Sequence, residues 1–478
     1  MRRELLKKGS QLTFIGDSIT HGNSDSAVRK ADNYHGLLQL FFATHYPALD
    51  LWTVNVGRSG DSLGGLIKDR LNDRDVFRLL PGVVKNADVA LVMYGMNDGG
   101  SPGYLNPKAP PSAEARRKRR SEFSSRLNAV ADDLLKKGIK VVILSPTMYD
   151  ETVENKVAVA HGYNQELAAY AEAARKVAQE KNLMFVDLHT LMTRKNAEKQ
   201  AANPKFSYTR DRVHPQSGNA IMLYSILKAF GLEGDVFNVT LDAGKSPPTV
   251  ANATHARITE LKPSSGGLTW TAAEEKLPLP VNPAEYNSDR AFEDVPFAEE
   301  FNRQLLTVTG LASGTYSLTI DETPVGKFTA KAIAAGVDLS LLATTPQYQA
   351  AWKLRELLYR KQVLETIKRD INSLRLNIES HFGSDPKRKD AALQAALAAE
   401  NWDEPSVEKI LGYMDRAVAE KKEDGKAVSG FFGHIVGQTR KHLAKMPEYN
   451  KELAALRTQV ENLPEGRTYH YSLTSEGK

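Results

Sequence analysis

From about Gln11 to Gly231, short apolar runs alternate with longer segments whose apolar positions recur every three or four residues. A run of three to five apolar residues suits a strand buried on both faces, and a helical stripe between two such runs suits a crossover connection. The pattern therefore predicts a parallel α/β sheet. Five strands are predicted, at residues 12–15, 52–56, 89–93, 141–144 and 184–186, with helices at 34–44, 123–137 and 164–181. In the second helix Leu127, Val130 and Leu134 form the stripe that faces a sheet, and Gly138 supplies a left-handed stop.

After Gly231 the pattern changes to alternating segments broken by turns. Residues 239–242, 268–271 and 316–320 read as strands, and a hairpin is predicted around Glu322. The proline-rich stretch 277–283 reads as an edge or a linker. From Tyr348 onward Leu357, Leu364, Ile367, Ile371, Leu374 and Ile378 recur at threes, fours and sevens, as in a long helix packed in a bundle or coiled-coil hairpin. Helical stretches at 390–399, 405–421, 433–445 and 451–461 are its predicted partners. The predicted organisation is an α/β domain over 1–235, a β-rich module over 236–345 and a helical region over 346–478. A chain of 478 residues is longer than one hydrophobic core usually supports.

Composition narrows the function. No stretch approaches the roughly 20 apolar residues of a membrane-crossing helix, so membrane insertion is not expected. The net charge of +5 comes from 63 basic and 58 acidic residues, too thin an excess to predict nucleic-acid binding. The dense basic run Arg116, Arg117, Lys118, Arg119 and Arg120 reads as the solvated first turns of a surface helix. Cysteine is absent, which removes disulfides, thiolate metal sites and cysteine nucleophiles. No histidine or carboxylate spacing suggests a metal, and no glycine-rich strand-to-helix loop suggests a phosphate, so chemistry without metal or cofactor is expected. The first residues carry charge but no apolar leader segment. Of the two locations this fits, secreted or periplasmic after removal of a leader is preferred to cytoplasmic.

Four strand-end segments hold the residue types that acyl transfer needs. In Phe14-Ile-Gly-Asp-Ser-Ile-Thr, Ser18 follows a buried strand at the carboxyl edge of the sheet, where open α/β folds place ligands, and its own N–H opens the next helix. In Asn55-Val-Gly-Arg-Ser-Gly-Asp-Ser, Gly60 has no side chain to block its amide from a developing oxyanion. In Tyr94-Gly-Met-Asn-Asp-Gly-Gly, Asn97 offers a neutral amide donor. In Asp211-Arg-Val-His-Pro, the acid can hold one imidazole nitrogen of His214 and leave the other for Ser18. Asp17 and Asp98 are candidate substrate contacts, and Asn23 and Tyr149 candidate cleft residues.

Rival assignments are weaker. Ser59 precedes the candidate oxyanion glycine and reads as a turn residue, and Asp187-Leu-His189 lacks the three-residue spacing and reads as a strand-end cap. His21, His35 and His161 read as surface or hydrogen-bonded histidines. No serine sits in a Gly-x-Ser-x-Gly elbow, against the α/β-hydrolase family.

The blocks at Ser18, Gly60, Asn97 and Asp211–His214, in this order, resemble those of the SGNH (GDSL-type) hydrolases over about residues 9–232. The resemblance implies a three-layer α/β/α, flavodoxin-like fold with a five-stranded parallel sheet. It also implies roles: Ser18 as nucleophile, His214 as base, Asp211 orienting it, and Ser18, Gly60 and Asn97 forming an oxyanion hole. The sequence from Tyr316 onward is similar to the accessory region of large bacterial GDSL-like proteins. By analogy the leading expectation is a carbohydrate O-acetyl or acyl esterase acting through an acyl-enzyme on small-molecule or glycan esters. Two alternatives stand beside it: a lipase, lysophospholipase or thioesterase with the same triad, and a non-catalytic glycan-binding or scaffold protein. The helical region offers a surface for homo-oligomerisation.

Overall fold

The structure is a computed structural model that describes residues 5–22, 33–67, 87–100, 111–154, 156, 158–209, 211–264, 266–383, 411–412, 415, 437, 439–461 and 467–476. The first part of the chain runs β1 (Gln11–Gly16), α1 (Ser18–His21), α2 (Tyr34–His45), β2 (Trp52–Asn55), α3 (Leu63–Leu66), β3 (Val89–Met93) and α4 (Ala113–Lys136). It continues through β4 (Lys140–Leu144), α5 (Tyr163–Glu180), β5 (Met184–Val186), α6 (His189–Ala202) and α7 (Asn219–Phe230). The five strands pair in parallel in the order β2-β1-β3-β4-β5. Successive strand residues face opposite cores. Leu91 packs with Leu37 and Phe41 of α2 and Ile221 and Leu227 of α7, while Ala90 and Val92 pack with Phe123 and Leu127 of α4 and Tyr170 of α5. Burial on both faces is why these strands read as unbroken apolar runs. The predicted three-layer α/β/α fold is present. Helix α4 starts at Ala113 rather than at 123, so the basic run forms its early turns, with Ser112 as N-cap.

The second part contains β6 (Phe237–Asp242), β7 (Thr249–Thr254), β8 (Ala256–Ser264), β9 (Gly267–Glu274), α8 (Phe297–Phe301), β10 (Gln304–Thr309), β11 (Thr315–Ile320), β12 (Thr323–Thr329), α9 (Ala330–Ala335) and β13 (Val337–Asp338). The chain then enters the long helix α10 (Pro346–Gly383) and, later, α11 (Met446–Glu461) and β14 (Arg467–Ser475). Two sheets, β13-β10-β6-β7 and β12-β11-β14-β9-β8, share one core, so the β-rich module is a sandwich. The predicted hairpin is β11–β12, turning through Asp321 and Glu322, both at left-handed φ. This is the twist a two-residue hairpin turn requires.

The expectation of an entirely helical tail is corrected. Strand β14 lies between β11 and β9, antiparallel to both, and its Tyr471 stacks on Trp270 with ring centroids 4.9 Å apart. The signal was present in the alternation of Tyr469, Tyr471 and Leu473, all buried, but the helical pattern before it dominated. The sandwich thus closes only after the helical region has been threaded out and back.

Leu364 and Ile371 of α10 share a core with Leu443, Met446, Leu453 and Leu456, so α11 and the turn before it are the partner of the long helix. The side chains of Leu374 and Ile378, and nearly all of the predicted helices at 390–399 and 405–421, lie outside the described residues. Another face of α10 packs against the α/β domain. Lys361 Nζ donates to Gln39 Oε1 at 2.8 Å and to Thr53 O at 2.6 Å, and both Lys361 and Arg457 lie over the Trp52 ring. The helix covers the edge strand β2, whose outward carbonyls would otherwise be open to pairing. Tyr471→Ala, which removes the central aromatic pair of the sandwich, is expected to cost about 3–5 kcal/mol, measured by urea unfolding.

Candidate active site

Strand β1 ends at Gly16, where a Cβ would lie 2.6 Å from Met93 O and 2.2 Å from Thr20 Oγ1. Only glycine lets the strand turn straight into α1 there. Asp17 caps the helix, its Oδ1 accepting from Ile19 N at 2.9 Å, which leaves Ser18 as the first helical residue at the carboxyl edge of the sheet. Ser18 Oγ lies 2.8 Å from Nε2 of His214. His214 Nδ1 lies 2.5 Å from Asp211 Oδ2, and the other carboxylate oxygen accepts from the amides of Val213 (3.0 Å) and His214 (2.7 Å). Between acid and base, Arg212 takes a left-handed φ of 76°. Its buried side chain donates to Val153 O and Ala158 O, which anchors the bend. Burial pushes the Asp211 carboxyl up, but the hydrogen bond and charge of His214 and the two amides outweigh it and hold it below the ordinary range. It stays a carboxylate beside the imidazole.

Gly60 sits in a tight exposed turn at φ 74°, where an added Cβ would meet open space. Arg58 N donates to Gly16 O at 2.9 Å, and Asp61 N to Arg58 O at 3.2 Å, so the turn is tied to the end of β1. Asn97 Nδ2 donates to Asp61 O at 2.8 Å, which fixes the plane of its amide and leaves that nitrogen a second N–H. Asp98 then joins the two loops, accepting from Leu63 N at 2.9 Å and from Gly95 N at 3.2 Å. Tyr94 donates to Asp61 Oδ2, Tyr163 to Met96 O and Arg119 to Gly99 O. Asp98 apart, which was singled out as a substrate contact, none of these supports was marked in the sequence as a site residue, because each depends on which loops become neighbours.

The structure uses Asp17 and Asp98 differently from the expected substrate contacts. Asp17 caps its own helix and Asp98 bridges two loops, because a carboxylate at a helix start or loop base meets backbone N–H groups first. Burial raises the Asp17 carboxyl to about 7 against the pull of the Ile19 amide, and raises Asp98 to about 6 against the amides of Leu63 and Gly95. Tyr149 is buried, with its hydroxyl accepting from Ala160 N, and Asn23 lies outside the described residues. His189 Nε2 meets Asn164, and Asp187 accepts from Thr190 N at the start of α6. His35 meets Asn55 Nδ2, His161 is exposed 3.8 Å from Glu151, and His21 meets Asp370 of α10. The basic run is less solvated than expected, since Arg116 and Arg120 pair with the buried Glu166.

A three-layer α/β/α domain with a hydrogen-bonded Ser–His–Asp chain at its carboxyl edge has the form of an SGNH-type ester hydrolase. Residues 14–217 match the GDSL-like Lipase/Acylhydrolase family, and this part of the chain is a domain of that family. The protein is a carboxylic ester hydrolase. A gut microbial diltiazem-metabolizing enzyme of known structure is 25% identical and superposes over 98% of both chains with a TM-score of 0.80. An α/β hydrolase enzyme from the metagenome of Lake Arreo, Spain, is 21% identical and covers 47% of this chain and 96% of its own, with a TM-score of 0.35. An acetylxylan esterase from Geobacillus stearothermophilus is 21% identical over 48% of this chain and 97% of its own, with a TM-score of 0.34. No curated protein sequence matches the chain.

The raised Asp17 carboxyl makes stability depend on pH. It binds its proton more tightly folded than unfolded, so its contribution is full below about 4 and is lost as pH rises through about 7. Asp17→Asn keeps a capping acceptor without the buried charge. The stability of the variant relative to wild type is therefore expected to rise between pH 4 and 7 and level off above it, measured by urea unfolding across that range.

Proposed function

We propose that the protein hydrolyses esters through an acyl-enzyme on Ser18. The observation that carries this reading is the continuous chain Ser18 Oγ–His214 Nε2, His214 Nδ1–Asp211 Oδ2, at 2.8 and 2.5 Å. Ser18 Oγ attacks the ester carbonyl while His214 takes its proton, and Asp211 stabilises the imidazolium. The oxyanion is met by the amides of Ser18 and Gly60 and by the second N–H of Asn97, donors held in place before substrate arrives. His214 then returns the proton to the leaving alcohol, and water repeats the attack on the acyl-serine with His214 again as base.

The preferred substrate class is an O-acetyl or other small acyl ester of a carbohydrate. Half-buried Tyr286, Trp352 and Tyr359 cluster with ring centroids about 6 Å apart, and Asn287 beside them donates to Gln216, two residues beyond His214. Aromatic faces next to a polar catalytic loop suit the apolar face and hydroxyl rim of a sugar ring. The whole-chain likeness to the diltiazem-metabolizing enzyme favours a second reading, hydrolysis of diltiazem or a similar small molecule. A lipase reading lacks support in the sequence of residues 99–111, which is rich in glycine, proline and polar residues.

A fluorophosphonate probe is expected to label wild type and not Ser18→Ala, and equal labelling of the two would sink the mechanism. Asn97→Ala should lower kcat about 100- to 1,000-fold, roughly 3–4 kcal/mol of transition-state stabilisation, in steady-state hydrolysis of p-nitrophenyl acetate. Acetylated xylo-oligosaccharides, diltiazem and long-chain p-nitrophenyl esters compared side by side separate the substrate readings, with the first expected to give the highest kcat/KM.

A further inference from the structure

Two consecutive residues of α10 reach the loops that carry Ser18 and Gly60, although they lie more than half the chain away from both. Arg369 Nη2 donates to His21 O at 2.9 Å, and its Nη1 to Asn55 O at 3.4 Å. Asp370 Oδ1 lies 2.7 Å from His21 Nε2. His21 is the last residue of α1, whose first residue is Ser18, and Asn55 is the last residue of β2, just before the Gly60 turn.

These two ends already form one junction. Asn55 Nδ2 donates to Thr20 O at 2.7 Å, and Asn55 Oδ1 accepts from Gly57 N at 2.8 Å. A Cβ on Gly57 would lie 2.4 Å from His21 N, so the Gly60 loop and α1 touch backbone to backbone. The Arg369 side chain is 1% exposed. Withdrawing a cation from water is costly, and if only packing were needed an apolar side chain would serve. What the guanidinium adds is a rigid fork that can hold two carbonyls at a set separation.

We propose that Arg369, seconded by Asp370, is a positioning residue for catalysis. The accessory helix fixes the spacing of the nucleophile helix and the oxyanion turn, so turnover depends on a segment outside the hydrolase domain. The proposal rests on the assignment of Ser18 and Gly60 given above.

The test uses the full chain and the variants Arg369→Met, Arg369→Lys and Asp370→Asn. Arg360→Ala, at another position of the same helix and breaking its exposed pair with Glu452 of α11, is the control. Hydrolysis of p-nitrophenyl acetate gives kcat and KM, the rate of fluorophosphonate labelling reports on Ser18, and thermal unfolding reports on the fold. Arg369→Met should lower kcat about 10- to 100-fold and slow labelling in proportion, as expected for misplacement of reacting groups. KM should stay within about twofold. Arg369→Lys, able to hold one carbonyl, should recover part of the loss, Asp370→Asn should lose less than Arg369→Met, and Arg360→Ala should match wild type. A melting temperature that falls while kcat per folded molecule stays at the wild-type value would mean a merely structural role and overturns the proposal. If Arg369→Met does not fold, unchanged kcat in both Arg369→Lys and Asp370→Asn overturns it as well. Failure of the underlying site assignment looks different: Ser18→Ala would then keep its activity and its labelling.

Discussion

The parallel pairing of β1 with β2 on one side and β3 on the other is the constraint on which the rest of the molecule depends. Phe14 lies opposite Asn55, and Gly16 opposite Met93, so the three chains leave the sheet side by side at the same edge. The segments that follow are those bearing Ser18, Gly60 and Asn97. The order of strands reverses on either side of β1, which opens a crevice where loops of opposite sense diverge. Glycine at the points of closest approach lets the loops meet backbone to backbone. His214 comes from a fourth segment, 196 residues from Ser18, anchored by the buried Arg212.

Buried polar groups hold this arrangement in register. Asp17 caps α1 and Asp98 ties two loops, each through backbone amides at the cost of desolvation, which is why burial raises both. The accessory half repeats the device. Glu274 is buried in the sandwich and raised to about 8 by its burial, yet it gathers Tyr471 of β14, Gln347 of α10 and Gln304 of β10. Arg355 of α10 holds Asp289 with paired hydrogen bonds of 2.7 and 2.9 Å, both partners out of solvent. Such pairs add little net stability beside apolar packing, but each accepts only one geometry. With Lys361, which bonds Gln39 and Thr53, they make the sandwich, the long helix and the α/β domain parts of one scaffold.

The α/β layer was legible because its strands are buried on both faces. Val89–Met93 and Met184–Val186 were readable to the residue, and the other three strands to within one residue at either end. The candidate site segments were legible because Ser18, Gly60 and Asn97 follow β1, β2 and β3, while Asp211 and His214, between α6 and α7, stand three residues apart. Strand β14 was not, since its value as a strand comes from β9 and β11, which lie about 150 to 200 residues earlier. The amide bonds of Asp17 and Asp98 were not legible, because a sequence shows an acid beside a candidate site residue but not the backbone N–H groups it meets.

By itself the sequence determined the alternation of strand and helix, the absence of any thiol chemistry and the order of serine, glycine, asparagine, acid and base. These are local properties, written in periodicity and in residue types next to one another. Tertiary structure alone decided that Arg369 meets His21 and Asn55, that Asn97 is held by Asp61, and that the last strand closes the sandwich. Each of these joins groups far apart in the chain, and no local pattern encodes which distant surface will be buried against which.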